Sequence, residues 1–199
     1  MELIEKVKDF RFILASQSPR RQDIFRSLGL EYEIRTKEVE ESFPSSLNAG
    51  EIATYLAEKK SKAQRKELTD HEILITADTI VWIDNTVLNK PLTIEEARKM
   101  LLLISGKTHS VYTGVCLASE TNSTVFVEAT EVTFHPLSNK EIDYYLSNYQ
   151  PLDKAGAYGI QEFIGYIGIQ KITGDFYNVV GFPVQRFWKE LDRFISDKD

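Results

Sequence analysis

The sequence predicts an α/β fold with a mixed central sheet and flanking helices, and three observations carry that prediction. Helix-like and strand-like segments alternate through the first half of the chain, as in folds that pack helices onto a sheet. Segment 73–82, ILITADTIVW, is almost continuously apolar, which is typical of a central strand buried on both faces. Segments 109–117 and 124–134 are rich in β-branched residues and flank Asn122-Ser123, so they predict a long antiparallel hairpin.

The first elements follow from local signals near the N-terminus. The apolar run 12–15 predicts a short buried strand. Ser18 followed by Pro19 is typical of a helix N-cap with proline at the first helical position, and Gly29 predicts the end of that helix. A second helix is expected over 48–68. Its expected buried face comprises Ile52, Tyr55, Leu56 and Ala63.

Turn and capping signals predict the later elements. Asp84-Asn85 predicts a tight turn into a short strand. Two pairs, each a hydroxyl residue followed three positions later by glutamate, predict capping boxes at helix starts. These pairs are Thr93 with Glu96 and Ser138 with Glu141. Segment 165–172 is expected to be a strand, and the last helix is expected to start at Pro183.

Composition and charge exclude several classes of protein. The chain has 199 residues, enough for a sizeable core, and a net charge of −6, which argues against a nucleic-acid polymer or an anionic membrane surface as the main partner. Its one cysteine, Cys116, excludes an intrachain disulfide framework and is expected to fill the core. Because neither a signal peptide nor a membrane-spanning stretch is recognisable, a soluble cytoplasmic protein is expected.

The first candidate site is the corner that follows the strand at 12–15. It reads Ser-Gln-Ser-Pro-Arg-Arg, from Ser16 to Arg21. Arg20 and Arg21 fall in the first helical turn, where the helix dipole normally disfavours a cation. A hydroxyl-rich turn with two arginines beside unpaired backbone N–H groups is suited to binding phosphate. Taken alone, the same motif also fits a helix start with two solvated arginines.

Asp78 is the second candidate because it interrupts the most apolar strand of the chain. A carboxylate expected at the end of such a strand is costly to bury unless it is paired or binds a metal. Ends of sheet strands are also where α/β proteins tend to place their sites. The competing interpretation is an aspartate that caps a loop, and this observation alone does not separate the two.

Lysines and a glycine-bearing segment supply weaker candidates. Lys59 and Lys60 lie on the second helix, and Lys90 precedes a proline in an extended turn. Each lysine alone is typical of solvated surface, although together with the arginines they could neutralise a triphosphate. Segment 155–161 contains two glycines and ends at Gln161, whose amide can pair with a nucleobase edge.

Several familiar motifs are absent from the sequence. It contains no P-loop, no dinucleotide-binding glycine fingerprint and no nucleophile elbow of the Gly-x-Ser-x-Gly type. His71, His109 and His135 lack the spacing of zinc ligands. Any metal is therefore expected to be a hard cation held by carboxylates, such as Asp78 with Glu41 or a neighbour.

Taken in order, these segments resemble the Maf family of nucleoside triphosphate pyrophosphatases. The matching segments cover most of the chain from residue 11 to residue 184. They read ILASQSPRRQDIF, VEES, LAEKKSKA, TADTIVW, NKPLTIEEARKMLLLISGKTHSVYTGV, DKAGAYGIQ and NVVGFPV. One such motif would be a weak match, whereas the ordered set is highly specific. The departures are EKKSKA in the helix, which leaves Lys59 and Lys60 as alternatives, and GFP in place of the more frequent GLP.

The resemblance implies a fold, an activity and a cofactor. It implies a single domain over 1–199 with two lobes around a cleft, as in Maf and ITPase-like proteins. It implies a cytoplasmic enzyme that cleaves the α–β bond of a nucleoside triphosphate, with a divalent cation such as Mg²⁺ or Mn²⁺. The substrates expected are dTTP and UTP, or modified pyrimidine triphosphates. The oligomeric state stays open, with a homodimer among the alternatives.

The resemblance also implies roles for individual residues. Asp78 is expected to be the general base or a metal ligand. Glu41, the second carboxylate already named from the residues themselves, is the expected second ligand of the metal. The expected phosphate-binding residues are Ser16, Arg21, Lys60 and Lys90, and those expected to choose the base are Arg20, Thr79 and Gln161. Two alternatives to a pyrimidine triphosphate pyrophosphatase remain: a nucleotide-binding regulator of septum formation without catalysis, and a pyrophosphatase for modified purine triphosphates.

Overall fold

The computed structural model describes residues 2–196, which form eight helices and seven strands. The helices are α1 (Glu2–Lys6), α2 (Pro19–Ser27), α3 (Ala49–Lys62), α4 (Ile94–Ile104), α5 (Asn139–Tyr149), α6 (Phe163–Gly168), α7 (Phe176–Val180) and α8 (Val184–Ser196). The strands are β1 (Arg11–Leu14), β2 (Tyr32–Ile34), β3 (Glu72–Ile83), β4 (Thr86–Leu88), β5 (Thr108–Ala118), β6 (Ser123–Phe134) and β7 (Ile169–Thr173). Within this described part, no helix has the length and apolar content needed to cross a membrane.

The strands form a mixed sheet in the order β2-β1-β3-β5-β6-β7, with β4 paired to β3. Strand β1 runs parallel to both β2 and β3, and its last residue, Leu14, pairs with Ile75. Strand β4 is antiparallel to β3, and β7 is antiparallel to β6. The predicted turn at Asp84-Asn85 is confirmed, because both residues have the positive φ that a tight hairpin turn requires. The predicted α/β fold with a mixed sheet is therefore confirmed.

Residue contacts divide the chain into two compact units. The first comprises the described residues up to Asp78, Thr113–Glu128 and the described residues from Gly181 onwards. The second comprises Thr79–Tyr112 and Ala129–Val180. The three longest strands, β3, β5 and β6, contribute residues to both units. The expectation of one domain over 1–199 stays a prediction.

Each unit has its own apolar core. In the first unit, the rings of Phe25, Phe182 and Phe187 are fully buried, with centroids 4.9 to 5.4 Å apart, and pack largely edge to face. In the second unit, α4 and α5 bury apolar residues at helical spacing. These residues are Ala97, Met100, Leu101, Ile104, Ile142, Tyr145 and Leu146. Cys116 is buried in the first unit, as expected of a core residue.

Helix α3 is shorter than predicted and faces the core with smaller residues. It ends at Lys62, and the chain continues into a 3-10 turn at Arg65–Glu67. The prediction that Tyr55 and Ala63 are buried is wrong, because both are exposed, and the buried face is completed by Ala53 and Ala57. The reason is a close approach to β5. A Cβ on Gly114 would lie 2.2 Å from the Ala53 carbonyl oxygen.

Residues 165–168 of the strand predicted over 165–172 belong instead to helix α6, and the strand forms only at Ile169–Thr173. Tertiary packing overrides the β-propensity of this segment. A Cβ on Gly165 would lie 2.4 Å from the Ile160 carbonyl oxygen, and one on Gly168 would lie 2.8 Å from the Phe134 ring. A side chain at either position would clash, so the two glycines allow the helix to pack this closely.

The capping predictions are confirmed at one helix and half confirmed at the other. At α5, the Ser138 and Glu141 side chains satisfy each other's backbone N–H groups, which completes the predicted box. At α4, the Glu96 N–H donates to Thr93 Oγ1 at 3.1 Å. The Glu96 carboxylate, however, accepts from the N–H of Leu92 rather than from that of Thr93. The helix therefore starts as predicted, but the N–H that the Glu96 side chain binds is that of Leu92, the residue before the N-cap.

An ion pair between the buried Glu72 carboxylate and the half-buried Arg35 makes stability depend on pH. The Glu72 carboxylate is 4% exposed and accepts from Arg35 at 3.0 Å, and this hydrogen bond is the main reason that the pKa of Glu72 lies below its usual value. Since the folded-state pKa is depressed, the pair stabilises the protein above the unfolded-state pKa of about 4.3, and this stabilisation is lost as the pH falls through the folded-state value.

We therefore expect Glu72→Gln to lower the free energy of unfolding by about 2 kcal/mol at neutral pH, and by much less in acid. Urea titrations at about pH 7 and about pH 3 measure the difference. Glu67→Gln is the matched control, because Glu67 forms an exposed ion pair with Lys37 and its loss is expected to cost less than about 1 kcal/mol. An equal effect of Glu72→Gln at both pH values would contradict the assignment.

Candidate active site

The corner that follows β1 is folded as a hydroxyl-stabilised turn. After β1 ends at Leu14, the Ala15 N–H still donates to the Ile75 carbonyl at 2.9 Å. The Ser18 N–H then donates to the buried Ser16 hydroxyl at 3.2 Å. Ser18 holds the N-cap position of α2, and Pro19 is its first residue, as predicted. The corner therefore begins α2 beside the carboxyl end of a parallel strand, where α/β folds place their ligands.

Arg21 connects this corner to two other segments of the first unit. Its Nε donates to the Gly181 carbonyl at 2.9 Å, and its Nη1 donates to the Ala77 carbonyl at 2.8 Å and to Ser16 Oγ at 3.4 Å. Burial lowers the pKa of the Arg21 guanidinium, while the nearby Asp78 and Glu41 carboxylates act to raise it. An arginine remains charged despite such burial, so Arg21 places a fixed positive charge beside Asp78.

Asp78 lies inside β3, which corrects the expectation that it ends the strand. Because β1 pairs with β3 only as far as Leu14 and Ile75, β3 continues past its parallel neighbour, and Asp78 lies on that continuation. The residue is 8% exposed. A carboxylate there is held by regular strand backbone rather than by a loop, and so its position is well defined.

Lys60 brings the two predicted metal-binding carboxylates together. Its ammonium donates to Glu41 Oε1 at 2.6 Å and also forms an ion pair with Asp78 Oδ1. Glu41 comes from the polar loop before α3, and its side chain is half exposed. One ammonium therefore links a loop, a helix and a strand of the first unit through two carboxylates.

Strand and helix periodicity explain why Lys60 reaches Asp78. Thr76 and Asp78 are two residues apart in β3, so their side chains point to the same face of the strand. Ala57 and Lys60 are three residues apart in α3 and share a face of the helix. The Thr76 hydroxyl donates to the Ala57 carbonyl at 2.7 Å. This buried bond fixes α3 on β3 one turn before the ion pair, and the sequence did not single out Thr76.

The adjacent Lys59 has a different partner. Its ammonium donates to the backbone carbonyl and the hydroxyl of Ser42, at 3.0 and 3.1 Å. The structure therefore separates the two lysines that the sequence left as alternatives: Lys60 contacts Asp78, and Lys59 contacts the loop that carries Glu41. Both contacts tie that loop to the last turns of α3.

Three of the predicted site residues belong to the second unit. Thr79 is half-buried in β3, Lys90 is exposed after β4, and Gln161 is exposed in the turn before α6. Within this unit the Gly156 N–H donates to the Asn89 carbonyl at 3.3 Å, which brings the residue before Lys90 against the glycine-bearing segment. Gly156 has a φ of +70°, and a Cβ there would crowd the Val81 side chain at 3.0 Å.

The donor set suits a cation that is completed by substrate. Among residues 2–196, no group of three or more His, Cys, Asp or Glu side chains could hold a metal ion. Asp78 and Glu41 nevertheless lie close enough to share one ammonium. Mg²⁺ commonly binds one or two protein carboxylates and takes its remaining ligands from water and substrate phosphates. The two predicted ligands therefore fit such a cation.

Comparison with known proteins identifies the family. The sequence profile described as "Maf-like protein" matches residues 11–194. The chain belongs to the Maf family. Maf proteins similar to it include the dTTP/UTP pyrophosphatases of Phocaeicola vulgatus, 48% identical over 192 residues, and Bacteroides thetaiotaomicron, 47% identical over 192 residues. Each alignment covers 96% of this chain and 100% of the relative. The family resemblance inferred from the motifs is therefore confirmed.

A solved structure supports the fold of this Maf protein independently. The Staphylococcus aureus Ham1 protein superposes with a TM-score of 0.51 at 14% identity, over 92% of this chain and 98% of that chain. This likeness concerns the fold alone. The dTTP/UTP pyrophosphatase of Flavobacterium johnsoniae is a further Maf relative, 47% identical over 97% of this chain and 100% of its own length.

Proposed function

We propose that this Maf protein is a nucleoside triphosphate pyrophosphatase that hydrolyses dTTP and UTP to the monophosphate and pyrophosphate. The observation that carries the proposal is the Lys60 ammonium, which contacts both Asp78 and Glu41 beside the Ser16–Arg21 corner. The relatives named dTTP/UTP pyrophosphatase align over nearly the whole chain and support the same activity. Cleavage would occur at the α–β phosphoanhydride bond.

Asp78 is the proposed general base. A water molecule that attacks the α-phosphorus must lose a proton while the bond to the β-phosphate breaks and pyrophosphate leaves. A carboxylate on rigid strand backbone is suited to accept that proton, since proton transfer needs a base held within hydrogen-bond distance. Lys60 fixes the orientation of this carboxylate, and Thr76 fixes α3, which carries Lys60.

The positive charges beside Asp78 are the proposed phosphate contacts. Negative charge accumulates on pyrophosphate as it leaves, and cations that are already in place stabilise it without reorganising. In the first unit, Arg21 and Lys60 are assigned to this role, and the neutral Ser16 hydroxyl is assigned a hydrogen bond to phosphate. The hydrogen bond from Arg21 to the Ala77 carbonyl supports a second role for Arg21, which is to hold the strand backbone at the residue before Asp78. The assignment of Lys90 to the phosphates rests on the family resemblance.

A divalent cation is proposed as cofactor, with Asp78 and Glu41 as its protein ligands. When bound, such a cation lowers the pKa of a coordinated water and neutralises phosphate charge. Asp78 is then the residue that we assign either to bind this cation or to accept the proton of the attacking water. Lys60 would retain its contact with the carboxylates in the absence of the cation and would contact phosphate in the substrate complex.

Base choice is proposed to depend on Arg20, Thr79 and Gln161. The amide of Gln161 can both donate and accept, which suits the edge of a pyrimidine. A site that pairs such groups rejects a base that leaves them unpaired. A cytoplasmic location and the alternative of a homodimer remain predictions of the sequence.

The test is a panel of nucleoside triphosphates assayed with Mg²⁺ and with Mn²⁺. Purified protein is incubated with dTTP, UTP, CTP, ATP and GTP, and the products are separated by ion-exchange chromatography. We expect dTTP and UTP to yield monophosphate and pyrophosphate in equal amounts, without a diphosphate. Release of inorganic phosphate with a nucleoside diphosphate would contradict cleavage at the α–β bond.

The same panel separates the alternatives. Binding of triphosphates without any product, under both metals, would favour a nucleotide-binding regulator. Preferential cleavage of GTP or ATP would favour a purine substrate. Omitting the metal and adding a chelator tests the cofactor, since turnover is expected to cease and to return when Mg²⁺ or Mn²⁺ is restored in excess.

A further inference from the structure

A buried hydroxyl closes the turn that carries Gln161. The turn runs from Gly159 to Glu162 and precedes α6. The Gly159 N–H donates to the Tyr145 hydroxyl at 3.0 Å, and the same hydroxyl donates to Glu162 Oε2. Tyr145 therefore contacts the first and the last residue of the turn through one oxygen atom.

A buried lysine secures the other side of the Glu162 carboxylate. Lys154 Nζ lies 3.0 Å from Glu162 Oε1 and 2.7 Å from Asp153 Oδ1. The side chain of Lys154 is 9% exposed, which is unusual for lysine. Each oxygen of the Glu162 carboxylate thus has its own partner, and each partner comes from a segment that is fixed by the core or by backbone bonds.

The packing leaves the turn little room to move. Tyr145 is fully buried in the core of the second unit and stacks on Tyr149 with centroids 5.1 Å apart. A Cβ on Gly159 would lie 2.6 Å from Glu162 Oε2, so a side chain there would displace the carboxylate from its present place across the turn. Burial, together with the Glu162 carboxylate, raises the pKa of the Tyr145 hydroxyl, which therefore stays protonated and able to donate.

We propose that Tyr145 is a positioning residue for base selection, which acts by holding the Gly159–Glu162 turn so that Gln161 presents its amide at one place. The inference rests on the proposed function, in which Gln161 pairs with the base. Gln161 itself is exposed, and the two residues that Tyr145 contacts, Gly159 and Glu162, lie two positions before it and one position after it. A specificity group on an exposed turn needs such support, because a displacement of about 1 Å can cost about a hundredfold in rate.

Tyr145→Phe tests the proposal because it removes the hydroxyl and preserves the ring. The matched control is Tyr149→Phe, which removes the hydroxyl of the partly exposed ring stacked on Tyr145. We expect Tyr145→Phe to lower the ratio of kcat/KM for dTTP over GTP by about tenfold, mainly through a higher KM for dTTP with kcat retained. Tyr149→Phe is expected to leave the ratio unchanged.

A second measurement does not depend on turnover. The dissociation constants of non-hydrolysable α,β-imido analogues of dTTP and GTP are measured by calorimetry for the wild type and both variants. We expect the preference for the thymidine analogue to fall by about tenfold in Tyr145→Phe alone. Glu162→Gln, which keeps the shape of the side chain and loses its charge, is expected to change the preference in the same direction.

The outcomes separate this inference from the proposed function. A wild type that prefers the thymidine analogue but releases no pyrophosphate would overturn the proposed function and leave the binding test of Tyr145 in force. A Tyr145→Phe variant with lower thermal stability and an unchanged base preference would overturn the inference, since the hydroxyl would then be only structural. A wild type without base preference in either measurement would overturn it as well.

Discussion

Asp78→Asn is expected to lower kcat for dTTP by about 10²- to 10⁴-fold, the range usually contributed by a positioned general base. The substitution keeps the shape of the side chain and removes its ability to accept a proton or to bind a cation strongly. Lys60 would keep its partner Glu41, so the half-buried ammonium is not left without a counter-charge. The KM for dTTP is expected to change much less than kcat. Steady-state pyrophosphate release measures both constants.

Asp84→Asn is the matched control, since it makes the same chemical change at an exposed residue of the β3–β4 turn. Asp84→Asn removes the ion pair with Lys107, and the kcat of this variant for dTTP is expected to match that of the wild type. Near-wild-type turnover by a folded Asp78→Asn variant would show that another group takes the proton. Circular dichroism of both variants establishes that each is folded.

Gly114→Ala is expected to have the largest effect on stability, lowering the free energy of unfolding by about 3 kcal/mol. The new Cβ would lie 2.2 Å from the carbonyl oxygen of Ala53 and 2.6 Å from the backbone nitrogen of Thr54. Both atoms belong to the backbone of α3, so no flexible side chain can move aside. Helix α3 would have to shift away from β5. Urea denaturation measures the loss.

Gly29→Ala provides the comparison. Gly29 has a φ of +69°, and a Cβ there would meet no described atom within 4 Å, so alanine incurs only backbone strain of about 1 kcal/mol. Gly114→Ala is also expected to reduce kcat in the folded protein, since α3 carries Lys60, whereas Gly29→Ala is not. Equal stability losses at the two glycines would contradict the close approach of α3 to β5.

The fold was largely predictable from the sequence because apolar periodicity and punctuating residues agree with each other. Ser18, Pro19 and Gly29 delimit α2 as predicted, and the apolar run around Asp78 forms the long strand β3. The secondary-structure predictions fail where tertiary packing, rather than local sequence, determines the conformation of a segment. Helix α6 replaces a predicted strand because Gly165 and Gly168 lie against other groups, a contact that local propensity does not encode.

The candidate site was predictable in its residue types but not in its contacts. The sequence singled out Asp78, Lys60 and Glu41, yet it could not show that one ammonium would meet both carboxylates. It also did not predict the structural role of Thr76, because that role depends on a hydrogen bond to the Ala57 carbonyl in a separate helix. For Arg21 it suggested phosphate, whereas contacts to carbonyls 56 and 160 residues away along the chain depend on tertiary structure.

The pairing of Thr76 with Ala57 has a consequence for how this chain can change in length. An added or deleted residue between Ala57 and Lys60 would turn the lysine by about 100° around the helix axis, away from Asp78. An added residue between Thr76 and Asp78 would turn the carboxylate to the opposite face of the sheet. Both intervals are therefore expected to tolerate substitution far better than insertion, and length variation in related chains should fall in the loops outside them.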